Sequence, residues 1–395
     1  MKCNCSDIII SIFHRYSVDL RGSSVLRTIA RTVSSADIRE RRDMSGVRQH
    51  FIPKFLQKGF RTPGTGKIVR CWVYEKHKPA RSANLQDVGL ERYFYAINGE
   101  PDLDDKITNA EQDVYAPLVD HLRVGSLNAG VIESIPGLLA HLEIRSRHVR
   151  QNMQSMVDEC ATGILEHLSD PKNLDALSRE HFRPGSAIFD KALAEQGMSQ
   201  QQAQALLAMN EQALEQLFKP LVDTFASLIP AHLSRIKSSI PNMIKGSHVR
   251  MLNESISPAA RAYRFSTLHY AVRKFEPGDL PLGDSVVLFH VSGERSFKPF
   301  MDKDDELVHV VLPLASDRYL LGAKDAAHSL PPDNLPLEIA RCSMRYFICA
   351  HQNGQASDLQ AQIGSNASWL SAREMSTLLG EVLSGFTAAR RTPNN

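Results

Sequence analysis

Apolar residues change their spacing three times along this chain. From Gln49 to about Tyr95 they come in short runs rich in β-branched and aromatic residues, bounded by turn formers. Ile68-Val-Arg-Cys-Trp-Val-Tyr74 is one such run. It follows the turn cluster Arg61-Thr-Pro-Gly-Thr-Gly-Lys67, and Glu91-Arg-Tyr-Phe-Tyr95 leads into a second turn at Asn98-Gly99. This is the composition of strands and turns.

The spacing then becomes helical. Asp104-Asp105 caps a segment from about Lys106 to Arg123, where Ile107, Ala110, Val114, Leu118 and Leu122 recur at intervals of three and four. Pro136 opens a long helical pattern from about Gly137 to Leu168. Pro171 and Pro184-Gly185 break the chain, and further helix is expected over Gln200–Phe218 and Leu221–Ile236.

From about Ser266 strand patterns return, at His269–Phe275, Ser285–Val291, Leu307–Leu312 and Arg318–Leu321. Leu335–Ala350 and Ser371–Phe386 read as closing helices. This order lacks the βαβα alternation of a doubly wound sheet. The expected fold is α+β, a small mixed or antiparallel sheet built from N- and C-terminal parts with a large helical middle. The boundaries read as a leader over 1–43, two halves of one domain over 45–165 and 256–386, a helical insertion over 166–255, and a tail over 387–395. The leader is Arg- and Ser-rich, and Met44-Ser-Gly-Val offers a natural start. Residues 1–43 are therefore expected to be an unstructured or misassigned extension.

Composition alters this picture little. Hydrophobic residues make up 43% and charged residues 23%, so a large core is within reach. The net charge of +2 gives no global electrostatic case for nucleic acid, although local basic patches keep it open as a partner. The six cysteines are scattered, with no CxxC pair, which fits a reducing compartment better than secretion. The apolar run Ile8–Phe13 is far short of the roughly 20 residues that span a bilayer. A cytoplasmic protein without a membrane anchor is the expectation.

Several local patterns carry chemistry. Pro63-Gly-Thr-Gly-Lys67 looks like a phosphate loop. However, Arg61 stands where the first Gly belongs, Ile68 replaces the hydroxyl, and strand formers follow, so a hairpin turn is expected. His141 and His148 are two helical turns apart with Arg145 between them, on one face if the helix is continuous. That spacing suits packed histidines better than a zinc site. Arg145-Ser-Arg-His-Val-Arg150 reads as a solvated basic face.

Gln49-His-Phe-Ile-Pro-Lys-Phe-Leu-Gln-Lys-Gly-Phe60 resembles the opening signature of a bacterial family called domain of unknown function number 4238. Glu91–Tyr95, Asn109-Ala-Glu111, Leu139–Ser146, Leu282-Gly-Asp284 and Val311–Leu314 are similar to further elements of that family, in order. The resemblance covers about 45–160 and 262–350. The chain departs from the family at Arg147, where Pro is usual, and at Gly283, where Ser is usual.

The resemblance points to four polar residues, His50, Glu111, Arg145 and Asp284. If the fold gathers them, His50 would be a base or ligand, Glu111 and Asp284 would hold a divalent metal, and Arg145 would stabilise a phosphoryl group. That implies a metal-dependent phosphodiester hydrolase, nuclease-like and suited to bacterial defence. The same residues equally suit structure. Asp284 would cap a turn, Glu111 would pair with a cation across helices, and Arg145 would centre a buried ion network. A non-catalytic ligand- or partner-binding module and a helical interaction scaffold remain open beside the hydrolase.

Overall fold

A computed structural model describes residues 48–64, 66–97, 102–170, 172–173, 211–276, 279–325 and 334–388. The expectations for residues 1–43, Asn98-Gly99, Pro171, Pro184-Gly185, residues 200–210 of the expected helix and residues 389–395 of the tail lie outside these residues.

The strand elements are β1 (Arg48–His50), β2 (Arg70–Glu75), β3 (Arg81–Asn84), β4 (Leu90–Arg92), β5 (His269–Lys274), β6 (Leu282–Gly283), β7 (Leu288–Val291), β8 (Phe297–Lys298), β9 (Leu307–Ala315), β10 (Arg318–Ala323) and β11 (Tyr346–Cys349). They form three antiparallel sheets, β1-β4, β3-β2-β11-β6 and β5-β10-β9-β7-β8. The four-stranded sheet joins N-terminal β2 and β3 to C-terminal β6 and β11, which is the composite sheet that the pattern predicts. The fold is α+β.

The helices are α1 (Lys54–Gln57), α2 (Asp102–Ala110), α3 (Ala116–Arg123), α4 (Ala129–Arg145), α5 (Arg147–Ser169), α6 (Glu211–Glu254), α7 (Ala259–Ser266), α8 (Leu335–Cys342), α9 (Gly354–Gln360) and α10 (Ala372–Ala388). A π-helical turn, Glu111–Tyr115, joins α2 to α3. None of the described helices is long and apolar enough to cross a membrane.

Three expectations need correction. The helix expected to open at Pro136 starts at Ala129, where the Asn128 side chain accepts from the Val131 amide at 3.0 Å, and Pro136 lies inside it. The pattern expected to run unbroken to Leu168 stops at Ser146, whose ψ of 151° is extended. Leu335–Ala350 is not one helix. It ends at Ser343 (ψ 132°), and Tyr346-Phe-Ile-Cys349 becomes a central strand paired with β2 from Tyr346↔Glu75 to Cys349↔Trp72. Aromatic and branched side chains buried in a sheet outweigh helical spacing there.

The chain divides into two compact units. The described residues of one fall within Ser11–Met153 and Ile244–Trp369, those of the other within Gln154–Met243 and Leu370–Asn395. The first unit holds all three sheets. Its main core brings Phe51, Ile52, Leu56 and Phe60 together with Leu138, Leu142, Phe265, Phe289 and Leu312. The second is helical. Gly163 meets Leu379 at a distance that leaves no room for a Cβ, and Lys237 Nζ donates to Thr162 Oγ1 at 2.5 Å.

Candidate functional site

The segment Gln49–Phe60 enters the core as the pattern of its apolar residues demands. Phe51, Ile52, Phe55, Leu56 and Phe60 are buried. Two of its polar side chains follow them in. Gln49 Oε1 accepts from the Tyr95 amide at 2.6 Å. Gln57 Nε2 donates to the Ile52 carbonyl at 2.7 Å and the Val88 carbonyl at 3.2 Å. Both glutamines satisfy backbone groups that burial would otherwise strand.

Arg145, at the last turn of α4, is 1% exposed and sits at the centre of the unit. Its Nε donates to Tyr95 Oη at 3.1 Å, and Nη2 donates to the His50 carbonyl. Nη1 pairs with the Glu111 carboxylate and donates to His141 Nε2 at 3.1 Å. The π-helical turn supports this arrangement. Its wider winding directs Glu111 at the guanidinium and stacks Tyr115 on His141, with ring centroids 4.6 Å apart.

The histidine is held from behind. His141 Nδ1 donates to the Ile256 carbonyl at 2.8 Å, which leaves Nε2 as the acceptor facing Arg145. Burial lowers the His141 pKa to about 4, so the ring is neutral near pH 7. Burial likewise pushes the Tyr95 hydroxyl up, and that hydroxyl donates onward to the His50 carbonyl at 3.3 Å.

Arg150 repeats the arrangement in α5. His248 Nε2 donates to the Ile144 carbonyl at 2.8 Å, and its Nδ1 accepts from Arg150 Nη2 at 3.1 Å. The Arg150 guanidinium lies 3.8 Å above the Phe94 ring and donates to the Phe94 carbonyl at 2.7 Å. The expectation of a solvated basic face over Arg145–Arg150 is therefore overturned, because Arg145, His148 and Arg150 are all buried. The break at Ser146 also removes His141 and His148 from a shared helical face. His148 donates to the Ala367 carbonyl at 3.0 Å instead.

The structure brings three of the four expected residues to one place. Glu111 and Arg145 meet through side chains, and His50 joins them through its backbone carbonyl. The His50 ring points to Gln57 Nε2 at 3.5 Å, and burial, then the Lys54 and Arg145 charges, lower its pKa to about 4. Asp284 does not join them. Its carboxylate accepts from the Met344 and Arg345 amides at 2.7 and 2.9 Å, closing the turn before β11. Burial raises its pKa to about 6 against those hydrogen bonds. Gly283 beside it leaves space for Ser343, whose Oγ would crowd a Cβ there. Arg147, at the other departure from the family pattern, lies with Nε 3.5 Å from Glu91 Oε2 and its guanidinium over the Phe51 ring.

Among the described residues no three His, Cys, Asp or Glu side chains are grouped to hold a metal ion. The glycine-rich look-alike is a turn. Thr62 donates its amide to the Arg70 carbonyl at 2.7 Å, and Gly64 and Gly66 adopt φ of 75° and 67° before β2. Thr65 lies outside the described residues.

One feature of this unit has no local sequence signal. An open cleft of about 510 Å³ is lined by Lys58, Gly59, Arg61, Asp120, Arg123, Ala315, Asp317 and Arg318. Its floor is Arg123, which donates to the carbonyls of Leu314, Phe55 and Leu56 at 3.0, 2.9 and 3.0 Å. Those partners are up to 191 residues away in sequence.

The fold and site define an α+β protein whose sheet-bearing unit is organised around buried, histidine-backed arginines. The chain belongs to the family described as Protein of unknown function (DUF4238), whose model matches residues 48–265, more than half of the chain. The matched span includes residues 166–255 and ends soon after residue 262. No curated protein and no solved structure matches the chain.

Proposed function

We propose that this chain is a ligand-binding module in which the Arg145 constellation is a structural centre rather than a catalytic one. The observation that carries this reading is the engagement of the Arg145 guanidinium. A carboxylate, a neutral imidazole, a phenol and a backbone carbonyl already occupy it on all three nitrogens. A phosphoryl group would have to displace these buried partners, each costly to leave unpaired.

The competing reading is a metal-dependent phosphodiester hydrolase, with His50 as base or ligand and Glu111 and Asp284 as metal ligands. The π-helical turn and the partial exposure of Glu111 favour it. It also needs Asp284 to leave the Met344 and Arg345 amides and the His50 ring to act as a base from a pKa of about 4. A nucleic-acid partner remains compatible with either reading.

The test is turnover and retention measured together. Freshly purified protein is denatured and its released small molecules are analysed by mass spectrometry. In parallel, a chromogenic phosphodiester and single-stranded oligonucleotides are incubated with Mg²⁺, Mn²⁺ or Zn²⁺. A stoichiometric released ligand without turnover supports the binding module. Metal-dependent cleavage lost in Glu111→Gln overturns it.

A further inference from the structure

The cleft described above lies between the 3₁₀ turn that follows α1 (Lys58–Phe60), the end of α3 and the β9–β10 turn. Its cations fall into two pairs with different duties. Arg123 and Arg318 are fixed. Arg123 binds three backbone carbonyls and reaches Asp120 with Nη1 at 3.2 Å. Arg318 is held in a fork by Asp317 at 2.9 and 2.6 Å and donates to the Arg123 carbonyl. Lys58 and Arg61 are exposed, and no carboxylate pairs with either among the described residues. The cleft thus gathers four cations and two carboxylates, and both carboxylates are committed to the fixed pair.

The turns around it are tied together. Ser316 donates its amide to the Gly59 carbonyl at 3.1 Å, which ties the β9–β10 turn to the 3₁₀ turn. A like-charge cluster held together by backbone contacts costs stability unless an anion completes it. The lining also narrows the ligand class. Here the uncharged lining residues are Gly59 and Ala315, and no aromatic side chain is available to stack a base.

We propose that this cleft binds the polyphosphate group of a small anionic ligand, with Lys58 and Arg61 as the contacting cations and Arg123 and Arg318 as their fixed electrostatic floor. Arg61 would supply a planar fork for two phosphate oxygens, and Lys58 a mobile point charge for a neighbouring phosphate. The proposal rests on the reading of the chain as a binding module and names the ligand class of that module.

The test uses inorganic triphosphate as the probe, titrated calorimetrically into the full chain at low salt. Binding is expected to weaken about tenfold in Arg61→Ala and in Lys58→Ala, and to vanish in the double variant. Both side chains are exposed and the charges they remove repel one another, so thermal melting of the variants should not fall below the wild-type value. Lys303→Ala, exposed elsewhere on the same unit, should bind as wild type. Raising the salt should weaken binding further. Absence of binding by the wild-type chain overturns the proposal. So does binding that is unchanged in the double variant, which would put the site elsewhere. A single-stranded oligonucleotide that competes through Arg61 while triphosphate does not bind overturns the small-ligand assignment in favour of nucleic acid. Hydrolysis of the bound triphosphate overturns the module reading instead, and the variants still report whether the cleft holds it.

Discussion

Gly59 lies directly against Arg123. A Cβ at position 59 would fall 2.8 Å from Arg123 Nη2, and inside contact distance of the Leu314 carbonyl that Arg123 Nε binds. The guanidinium can therefore thread between the 3₁₀ turn and β9 only where the side chain is hydrogen. Gly59→Ala is expected to lower unfolding free energy by about 2 kcal/mol, as overpacking a closed site does. Urea denaturation followed by circular dichroism measures it. A change within the usual surface range of about 0.5 kcal/mol would show that Arg123 has room to move.

Acid should loosen the protein through its buried histidines. Burial holds His141 and His148 at about 4 and His248 at about 3, against an ordinary value of 6.5. Their folded pKa values are depressed, so their contribution is complete above about pH 6.5 and is lost as pH falls toward 4. Asp284 runs the other way. Its folded pKa is raised to about 6 from 3.8, so its contribution is complete below about pH 4 and is lost as pH rises through 6. His50, also held at about 4, makes four histidines set against Asp284 and the other acids that burial pushes up, Glu143, Asp104 and Asp302, and stability is expected to rise between pH 4.5 and 6.5. Asp284→Asn removes part of the opposing slope and should steepen that rise. A flat profile in wild type would contradict the neutral, buried state of these rings.

Glu143 and Arg261 form a second buried pair. Nη1 of Arg261 lies 3.2 Å from Glu143 Oε1 and donates to the Met301 carbonyl at 2.6 Å. Burial raises the Glu143 pKa against the pull of Arg261. Glu143→Ala strands the arginine charge and should cost about 3–5 kcal/mol, whereas Arg261 and Glu143 replaced together by Met and Leu should recover most of it. Equal losses in the single and double variants would mean that the pair is not the relevant contact.

Some of this was legible in the sequence. The four strands from His269 to Leu321 and the strand at Ile68–Tyr74 follow from runs of β-branched and aromatic residues, and β9 and β10 are buried on both faces, between two clusters of the core. Pro53 with Phe51, Ile52 and Phe55 suggests a buried extended entry; the burial is found, but the chain turns helical at Lys54, so Phe55 packs from α1 and not from an extended stretch. His50 was singled out for its ring, yet its carbonyl makes the contact to Arg145. No side-chain pattern reports which backbone group a distant arginine will seek. Arg150 and Arg145 looked like a solvated run because a charged residue counts as polar whatever meets it. Their histidine partners, at His141 and His248, are fixed by backbone carbonyls of other segments, Ile256 in the loop after α6 and Ile144 in α4. The cleft was invisible for the same reason, since its floor is built from contacts across 67 to 191 residues.

Glu111 and Arg145 decide between structure and chemistry. A residue pair kept for catalysis is usually removable at little cost to stability, whereas a structural centre is not. The direct measurement is a double-mutant cycle of Arg145→Met and Glu111→Gln on unfolding free energy in urea. Arg145→Met is expected to lose about 3–5 kcal/mol, with a coupling to Glu111 above about 1 kcal/mol. Retained or increased stability in Arg145→Met, with no coupling to Glu111→Gln, would contradict it.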